Sequence, residues 1–255
     1  DWFRVPDRFY DFSRTMNDAV REAQSARELA LAASTEAARL AEKFAMSEPV
    51  NNITNYRGQT YLRDDGVRVM HGYGVNRFID DIGEDEEFDE EEEDDIVTYS
   101  GQFEDGERSG SGIWTCRNFN LKGSFSAGKS NGYGVYMTYE DNSRTGSAMG
   151  IHLGHRRNNL LSGPGVLTNN EDKSTFSGNW ESGKISGPGR MRYDKYHYIE
   201  GNWIDDEIDG EAREVFENAV KECKFKGSKM NGLGKARYLD GQLQIGEFRD
   251  DKLHG

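Results

Sequence analysis

Proline is scarce in this chain, at 4 of 255 residues, too few for a Pro-rich linker or a polyproline ligand. Cysteine is scarcer. Cys116 and Cys223 stand more than a hundred residues apart, and no Cys-x-x-Cys or Cys/His ligand spacing exists. Neither a zinc site nor a disulfide framework is encoded, and a reducing compartment is expected. No stretch approaches the ~18 apolar residues of a membrane-spanning helix. Hydrophobic residues make up 35%, against roughly 45–50% in ordinary globular domains, which leaves too little for a thick core. No basic stripe is present, so nucleic acid is not an expected partner. The five histidines, His71, His152, His155, His197 and His254, form no Ser/His/Asp or Cys/His constellation. The expectation is therefore no catalytic residues, no cofactor and no metal site.

Acid is plentiful but local. Of the net charge of -14, most lies in residues 80–95, DDIGEDEEFDEEEEDD, with 13 acids and no Lys or Arg. The 46 acids less these 13 leave 33, against 32 bases. The remainder is nearly neutral and carries one acidic insert, read as a disordered, self-repelling segment over 79–97. The insert also offers an electrostatic arm for a basic partner. It holds no D-x-[DN]-x-[DN]-G calcium loop.

Residues 7–46 contain neither Gly nor Pro and are rich in Ala, Leu, Glu and Arg, so a long helix is expected within an N-terminal extension, 1–48. Steps of three and four pick out Phe9, Phe12, Met16, Ala19, Ala23, Ala26, Ala30, Ala33, Ala37, Leu40 and Phe44, a heptad seam with large ends and an alanine middle. An alanine seam buries little area but admits a close backbone. Two readings follow: the helix packs along its own chain, or Ala19 to Ala37 form a docking seam for a neighbour in an assembly. Its acids, Asp11 to Glu42, argue against a targeting peptide.

Glycine, with 30 residues, is distributed with a rhythm. Residues 99–112 read YSGQFEDGERSGSG, 121–134 LKGSFSAGKSNGYG and 176–189 FSGNWESGKISGPG. The shared template is a bulky residue, an anchor Gly two later, an aromatic two after that, a turn Gly, and a closing G-x-G. Anchors fall at Gly101, Gly123, Gly154, Gly178, Gly201, Cys223 and Gly246, spaced by 22, 31, 24, 23, 22 and 23. The one long step implies an insertion near 139–150. The aromatic slot holds Phe103, Phe125, Trp180, Trp203, Phe225 and Phe248, with Arg156 in the third copy. Closing pairs are Gly110/Gly112, Gly132/Gly134, Gly163/Gly165, Gly187/Gly189 and Gly232/Gly234; the fifth copy has Gly210 and Ala212. An imperfect earlier copy, 49–78, runs from Gly58 to Gly72/Gly74. A period this short means stacked supersecondary units. β-prone segments flanking Gly, Asp, Ser and Asn make each unit a β-hairpin, whose ring is expected to cover the bare glycine backbone of the next.

The template Y-x-G-x-[WF]-x-x-G-x-x-x-G-x-G resembles the MORN repeat (membrane occupation and recognition nexus), over roughly residues 56–255. The resemblance implies a mostly β fold, an elongated single-layer array of stacked hairpins over 98–255, preceded by the long helix. The last copy stops at Gly255, the first Gly of its closing pair, so the array is expected to continue. The resemblance further implies a non-catalytic scaffold that binds other protein subunits in a large assembly, cytoskeletal or ciliary (axonemal) and intracellular. Alternatives it leaves open are an accessory subunit of an organellar membrane complex, a lipid-binding module, and the regulatory region of an enzyme whose catalytic domain lies past residue 255. Net acidity disfavours the lipid reading, because anionic headgroups reward basic clusters.

Two short motifs compete with this frame. Residues 123–130, GSFSAGKS, match the phosphate-binding loop G-x-x-x-x-G-K-[ST]. A real one follows an apolar strand and opens a helix; here TCRNFNLK precedes and NGYGVYMTY follows. Gly123 and Gly128 are the anchor and turn glycines of a hairpin, and Lys129 and Ser130 read as exposed turn residues. Residues 152–157, HLGHRR, read as a small basic patch for an acidic partner or lipid headgroup, or as a solvated loop.

Overall fold

The computed structural model describes residues 8–47, 55–79, 96–116, 118–139 and 148–254. One helix, α1 (Arg8–Ser47), precedes the strands. They are β1 (Tyr56–Leu62) and β2 (Arg68–Ile79), β3 (Ile96–Glu104) and β4 (Glu107–Thr115), β5 (Phe119–Ser126) and β6 (Lys129–Thr138), β7 (Gly150–Arg157) and β8 (Leu160–Asn169). There follow β9 (Thr175–Glu181) and β10 (Lys184–Arg192), β11 (Tyr198–Ile204) and β12 (Glu207–Val215), β13 (Ala219–Lys226) and β14 (Lys229–Tyr238), β15 (Leu243–Arg249) and β16 (Lys252–Leu253). Strand order is chain order, without crossovers. The fold is thus the antiparallel hairpin array preceded by a helix. The chain divides into two compact units: Ser25–Leu160, the first, and Leu161–Gly255 with the chain start up to Gln24, the second.

Within each unit the template glycines stand opposite one another. In the first, Gly58, Gly74, Gly101, Gly112, Gly123, Gly134 and Gly154 form one row of direct cross-strand partners. In the second, the row is Gly165, Gly178, Gly189, Gly201, Ala212, Cys223, Gly234 and Gly246. Period-two alternation puts the bulky residue before each anchor and the aromatic after it on the same face as this row. The bulky ring lies across the glycines of its own hairpin. A Cβ at Gly112 would come 2.6 Å from Tyr99 Cζ, and one at Gly178 2.7 Å from Phe176 Cζ. The expectation that a ring covers the next hairpin is corrected in direction: the bulky ring covers its own glycines, and Trp203 reaches back to the preceding hairpin, its Nε1 donating to Gly189 O at 3.1 Å.

The rings then lock edge to face. Tyr99 meets Phe103 of its own hairpin at 5.1 Å and Phe125 of the next at 4.9 Å; Phe176 meets Trp180 at 4.9 Å and Trp203 at 5.5 Å. Such pairs are worth ~0.5–1.5 kcal/mol beyond buried area. The two cores are these rings with their aliphatic neighbours: Tyr56, Tyr99, Phe103, Leu121 and Phe125 in the first unit, Phe176 through Phe248 in the second. Copies with lesser rings relax the row. Ile199 replaces the ring where Ala212 replaces glycine, and Ala212 is fully buried.

From β3 onward every hairpin tip is two residues, both at positive φ, as at Asp105 (51°) and Gly106 (90°); a type I′ turn requires this. The first glycine of the closing pair sits at a bulge, as Gly110 does at φ 58° beside the register shift at Gly101/Gln102. Each tip is also tied to the preceding hairpin. The second tip residue donates its N–H to a carbonyl of the strand before: Gly106 to Met70, Gly128 to Arg108 and Asn159 to Ser130 in the first unit. In the second unit Gly183 donates to Leu161, Asp206 to Ile185, Ser228 to Ile208 and Asp251 to Met230. Where that tip residue has a side-chain oxygen, it accepts the N–H of the same partner, closing a two-bond clasp: Asp206 from Ile185 at 2.7 Å, Asp251 from Met230 at 2.9 Å, Asn159 from Ser130 at 2.8 Å and Ser228 from Ile208 at 3.3 Å.

Candidate functional site

The sheet has two faces with different chemistry, and the sites follow from which face a residue takes. On the glycine face of the first unit, the third copy breaks the aromatic pattern. His152 stands where Tyr99 does in its copy and Arg156 where Phe103 does. His152 is 2% exposed. Burial first, and Arg156 second, lower its pKa to about 3, so it is a neutral ring at physiological pH. Arg156 lies over the Tyr136 ring at 4.7 Å, donates from Nε to Ser130 Oγ at 3.1 Å and from Nη2 to the Asn159 carbonyl. One polar couple thus interrupts a row of rings and Leu121, and Arg156 directs two of its donors to groups of the same chain.

HLGHRR is therefore not one patch. Alternation sends His152 and Arg156 to the glycine face; His155 goes to the other, edge-on to Tyr133 at 5.2 Å, and Arg157 ends exposed at the tip. GSFSAGKS likewise resolves into β5, the Ala127–Gly128 tip and the start of β6. Lys129 is exposed. Ser130 is 2% exposed and bonded to Asn159 and Arg156, which corrects its reading as an exposed turn residue. A strand, β6, begins at Lys129 where a phosphate loop would open a helix, and the Gly128 and Ser130 amides are bonded to Arg108 O and Asn159 Oδ1.

A second arginine lies on the same face. Arg108 stacks on the Trp114 ring at 4.0 Å and donates from Nη2 to Gly128 O at 2.7 Å. Burial lowers its pKa from the ordinary value. A cleft of about 290 Å³ beside it is lined by Met70, Tyr99, Phe103 and Arg108 among others.

The opposite face of the first unit carries α1. Val75, Ser100 and Val135 occupy its central row and are buried, which a bare single-layer face would not allow. Ser34, Ala37 and Ala41 of the helix are buried too. Phe44 stacks on Tyr73 at 6.2 Å and 9°, and Ser100 Oγ donates to Glu42 Oε1 at 3.4 Å. The small helix residues are thus used within this chain. Ala23 and Ala37 of the expected seam are buried, Ala26 and Ala30 half-buried, and Ala33 is exposed; the side chain of Ala19 lies outside the described residues. The stripe runs through Ser34 and Ala41 instead of Ala33 and Leu40. Ala23 to Ala41 is 18 residues, five turns of a straight helix at 3.6 residues per turn, whereas a heptad seam drifts from that line.

In the second unit the corresponding row is charged. Arg190, Glu200, Arg213, Glu222 and Lys235 are successive cross-strand partners. Arg190 Nε donates to Glu200 at 2.9 Å, Arg213 stands 3.6 Å from Glu200 and 3.7 Å from Glu222, and Lys235 is 2.6 Å from Glu222. Glu200, 2% exposed, is neutralised between two guanidiniums. The alternation of sign is a structural ladder, with each charge spent on its neighbours.

The repeat residues named from sequence all take ladder, bulge or ring positions: Gly101, Gly112, Gly123, Gly134, Gly178, Gly189, Gly201 and Gly234 in the row, Gly110, Gly132, Gly187 and Gly232 at bulges with positive φ, and Phe103, Phe125, Trp180, Trp203 and Phe225 buried. β2 runs to Ile79 and β3 starts at Ile96, inside the span read as an insert. The acidic run 80–95 lies outside the described residues. Among the described residues no group of three or more His, Cys, Asp or Glu is placed to hold a metal ion, and no helix is long and apolar enough to cross a membrane.

The MORN repeat model matches residues 99–120, 122–143, 176–198, 200–218 and 245–255, and no curated protein matches the chain. Hairpins β1–β2, β7–β8 and β13–β14 lie outside those spans, yet β1–β2 and β13–β14 keep the cross-strand row and the bulge. Repeats of this kind point to a protein-binding or membrane-binding module, and their fold is typically non-catalytic. Five matched copies in one register of glycines and rings make this chain a MORN-repeat protein.

Proposed function

We propose that the protein is a non-catalytic scaffold subunit that joins other proteins in a large assembly, cytoskeletal or axonemal in setting. The observation that carries this is the helix seated on the first unit. One face of the repeat sheet takes an amphipathic helix with a small-residue stripe, so its relief fits protein, with ring on ring at Tyr73 and Ala41 fully buried. Net charge of -14 opposes adsorption to anionic lipid. The acidic run 80–95 is proposed to meet a basic segment of a partner, an attraction that salt would weaken.

Native sedimentation of cell extracts tests the reading. The protein is expected far above the 28.9 kDa of this chain and in the detergent-resistant cytoskeletal fraction. A soluble monomer would sink the scaffold, and co-flotation with phosphatidylserine vesicles would replace it by a membrane-binding module.

A further inference from the structure

Across each hairpin, one residue pairs with the aromatic slot of the template. That residue is Met70, Ile185, Ile208, Met230 or Leu253 in five hairpins and Ser130 in another. In β3–β4 it is Arg108, set against Phe103. A guanidinium thus takes a place that elsewhere holds a thioether, an aliphatic chain or a hydroxyl. It lies over the Trp114 ring, and of its five N–H groups one is spent, on Gly128 O. Nη1 is buried without a hydrogen-bond partner, and so is Nε1 of the indole it lies on.

No carboxylate answers this cation among the described residues. Burial lowers the Arg108 pKa, and the one electrostatic neighbour acting against that is Tyr99, not an acid. The ladder of the second unit gives the contrast, since Arg190 and Arg213 share Glu200. A cation withdrawn from water without a counter-ion is costly, and an anion placed on it relieves that cost. Beside Arg108 opens the cleft of about 290 Å³, with Met70, Tyr99 and Phe103 as apolar walls and Asn76 and Glu107 as polar ones. Its volume stands at the lower end of small-molecule pockets, which begin near ~300 Å³.

Charge selects the ligand. One guanidinium matches one negative charge, and its fork fits a carboxylate through two parallel N–H bonds. A phosphate monoester, at about −1.5 to −2, would leave charge uncompensated beside Glu107, in a chain whose net charge is already -14. We propose that the cleft at Arg108 is a binding site for a single carboxylate borne on an apolar stem, the carboxylate on Arg108 and the stem against Met70 and Phe103. A polypeptide ending in an apolar residue carries that pair of groups, and so does a free carboxylic acid with an aryl or alkyl stem. The inference goes beyond the scaffold reading and stands without it.

Titration calorimetry of the chain with hydrocinnamate, a carboxylate on a phenyl stem, tests this. Saturable binding is expected. Acetate, which lacks the stem, and hydrocinnamide, which lacks the charge, should each bind at least tenfold more weakly. Arg108→Met should weaken hydrocinnamate at least tenfold, and Arg108→Lys, which keeps the charge without the fork, several-fold. Met70 and Met230 hold the same slot in their hairpins, so Arg108→Met should fold with a thermal midpoint no lower than the parent's. Hydrocinnamate should raise the midpoint of the parent and not that of Arg108→Met. Arg157→Met, at an exposed arginine of the same unit, should bind as the parent does. A glycine-serine peptide ending in Phe then identifies the source. If it binds more tightly than hydrocinnamate with its terminus free, and not when amidated, the ligand is a polypeptide C-terminus; if hydrocinnamate binds more tightly, it is a small acid. Both results uphold the carboxylate site. No saturable binding of either probe, binding that survives Arg108→Met, or tighter binding of inorganic phosphate than of hydrocinnamate overturns it.

Discussion

Gly189→Ala tests the central packing device, the ring laid over the glycine row. Phe176 is 1% exposed and wedged between Trp180 and Trp203. A Cβ at Gly189 would stand 2.7 Å from Phe176 Cε2 and 3.3 Å from Trp203 Cδ1, against the ~3.5–4.0 Å that carbon atoms prefer. The backbone there is extended, so no dihedral strain enters and the whole cost is steric. Phe176 Cζ lies nearer still, so the ring has to retreat by about 1.5 Å, loosening two edge-to-face contacts of ~0.5–1.5 kcal/mol each; with overpacking at ~1–3 kcal/mol, a loss of about 2–3 kcal/mol is expected. Phe176→Ile alone removes the ring and leaves a void, for about 2 kcal/mol. The double variant F176I/G189A rebuilds the Ile199/Ala212 pair that the chain already holds in its next hairpin. Its cost should undercut the sum of the singles by at least about 1 kcal/mol. Urea unfolding followed by tryptophan fluorescence and far-ultraviolet circular dichroism measures this. Repeat arrays unfold through neighbour-coupled segments, so both signals have to coincide before a free energy is assigned. Additivity within ~0.5 kcal/mol would refute the idea that ring size and the missing Cβ specify each other.

The clasp at the hairpin tips is read by Asp206→Ala, which removes the acceptor of the Ile185 N–H and leaves Ala at φ 74°; a cost of about 1–3 kcal/mol is expected, with Asp206→Asn within ~0.5 kcal/mol of the parent in the same urea assay. Ala41→Leu puts a large side chain where α1 is fully buried, costing about 1–3 kcal/mol and exposing the helix to limited proteolysis, while Ala33→Leu, on its exposed side, leaves the digestion pattern unchanged. His152 binds protons more weakly folded than unfolded, its pKa falling from 6.5 to about 3. Its contribution is therefore intact above pH 6.5 and lost as pH falls from there toward 3, by at most about 1.4 kcal/mol per pH unit. The difference in stability between His152→Phe and the parent should grow in the variant's favour across that window, and parallel pH profiles would count against the buried neutral ring.

The glycine template was legible because the packing is built from the absence of side chains, and absence leaves a spaced mark in the sequence. That the anchor of one strand faces the second closing glycine of its neighbour was not, since register depends on where the turn and bulge fall. Ser130 illustrates the point: the motif Gly-Lys-Ser suggests a turn three residues long, but the tip ends at Gly128, so alternation turns Ser130 inward. His152 and Arg156 were visible as letters and invisible as a pair, because sequence neighbours on a strand lie on opposite faces while second neighbours share one. For the helix, alanine spacing located the buried stripe at Ala23 and Ala37 and then parted from it at Ala33, where a 3.5-residue count diverges from a 3.6-residue turn. The exposure of Leu233 left no signal in the sequence, since the residue between two glycines is variable in the template and its exposure depends on what covers it.

The ties at the tips give the array one margin of fixed length and one that is free. From β3 onward every tip is two residues, and each holds its predecessor; the connections on the other margin range from 3 to 16 residues. New sequence therefore has a single place to enter. A reporter peptide threaded between Lys195 and Tyr196 lengthens a connection and leaves the ties alone, whereas one residue added between Asp205 and Asp206 cuts two of them. The margin of variable connections is where such a chain can acquire appendages, an acidic run among them, without unlearning its fold.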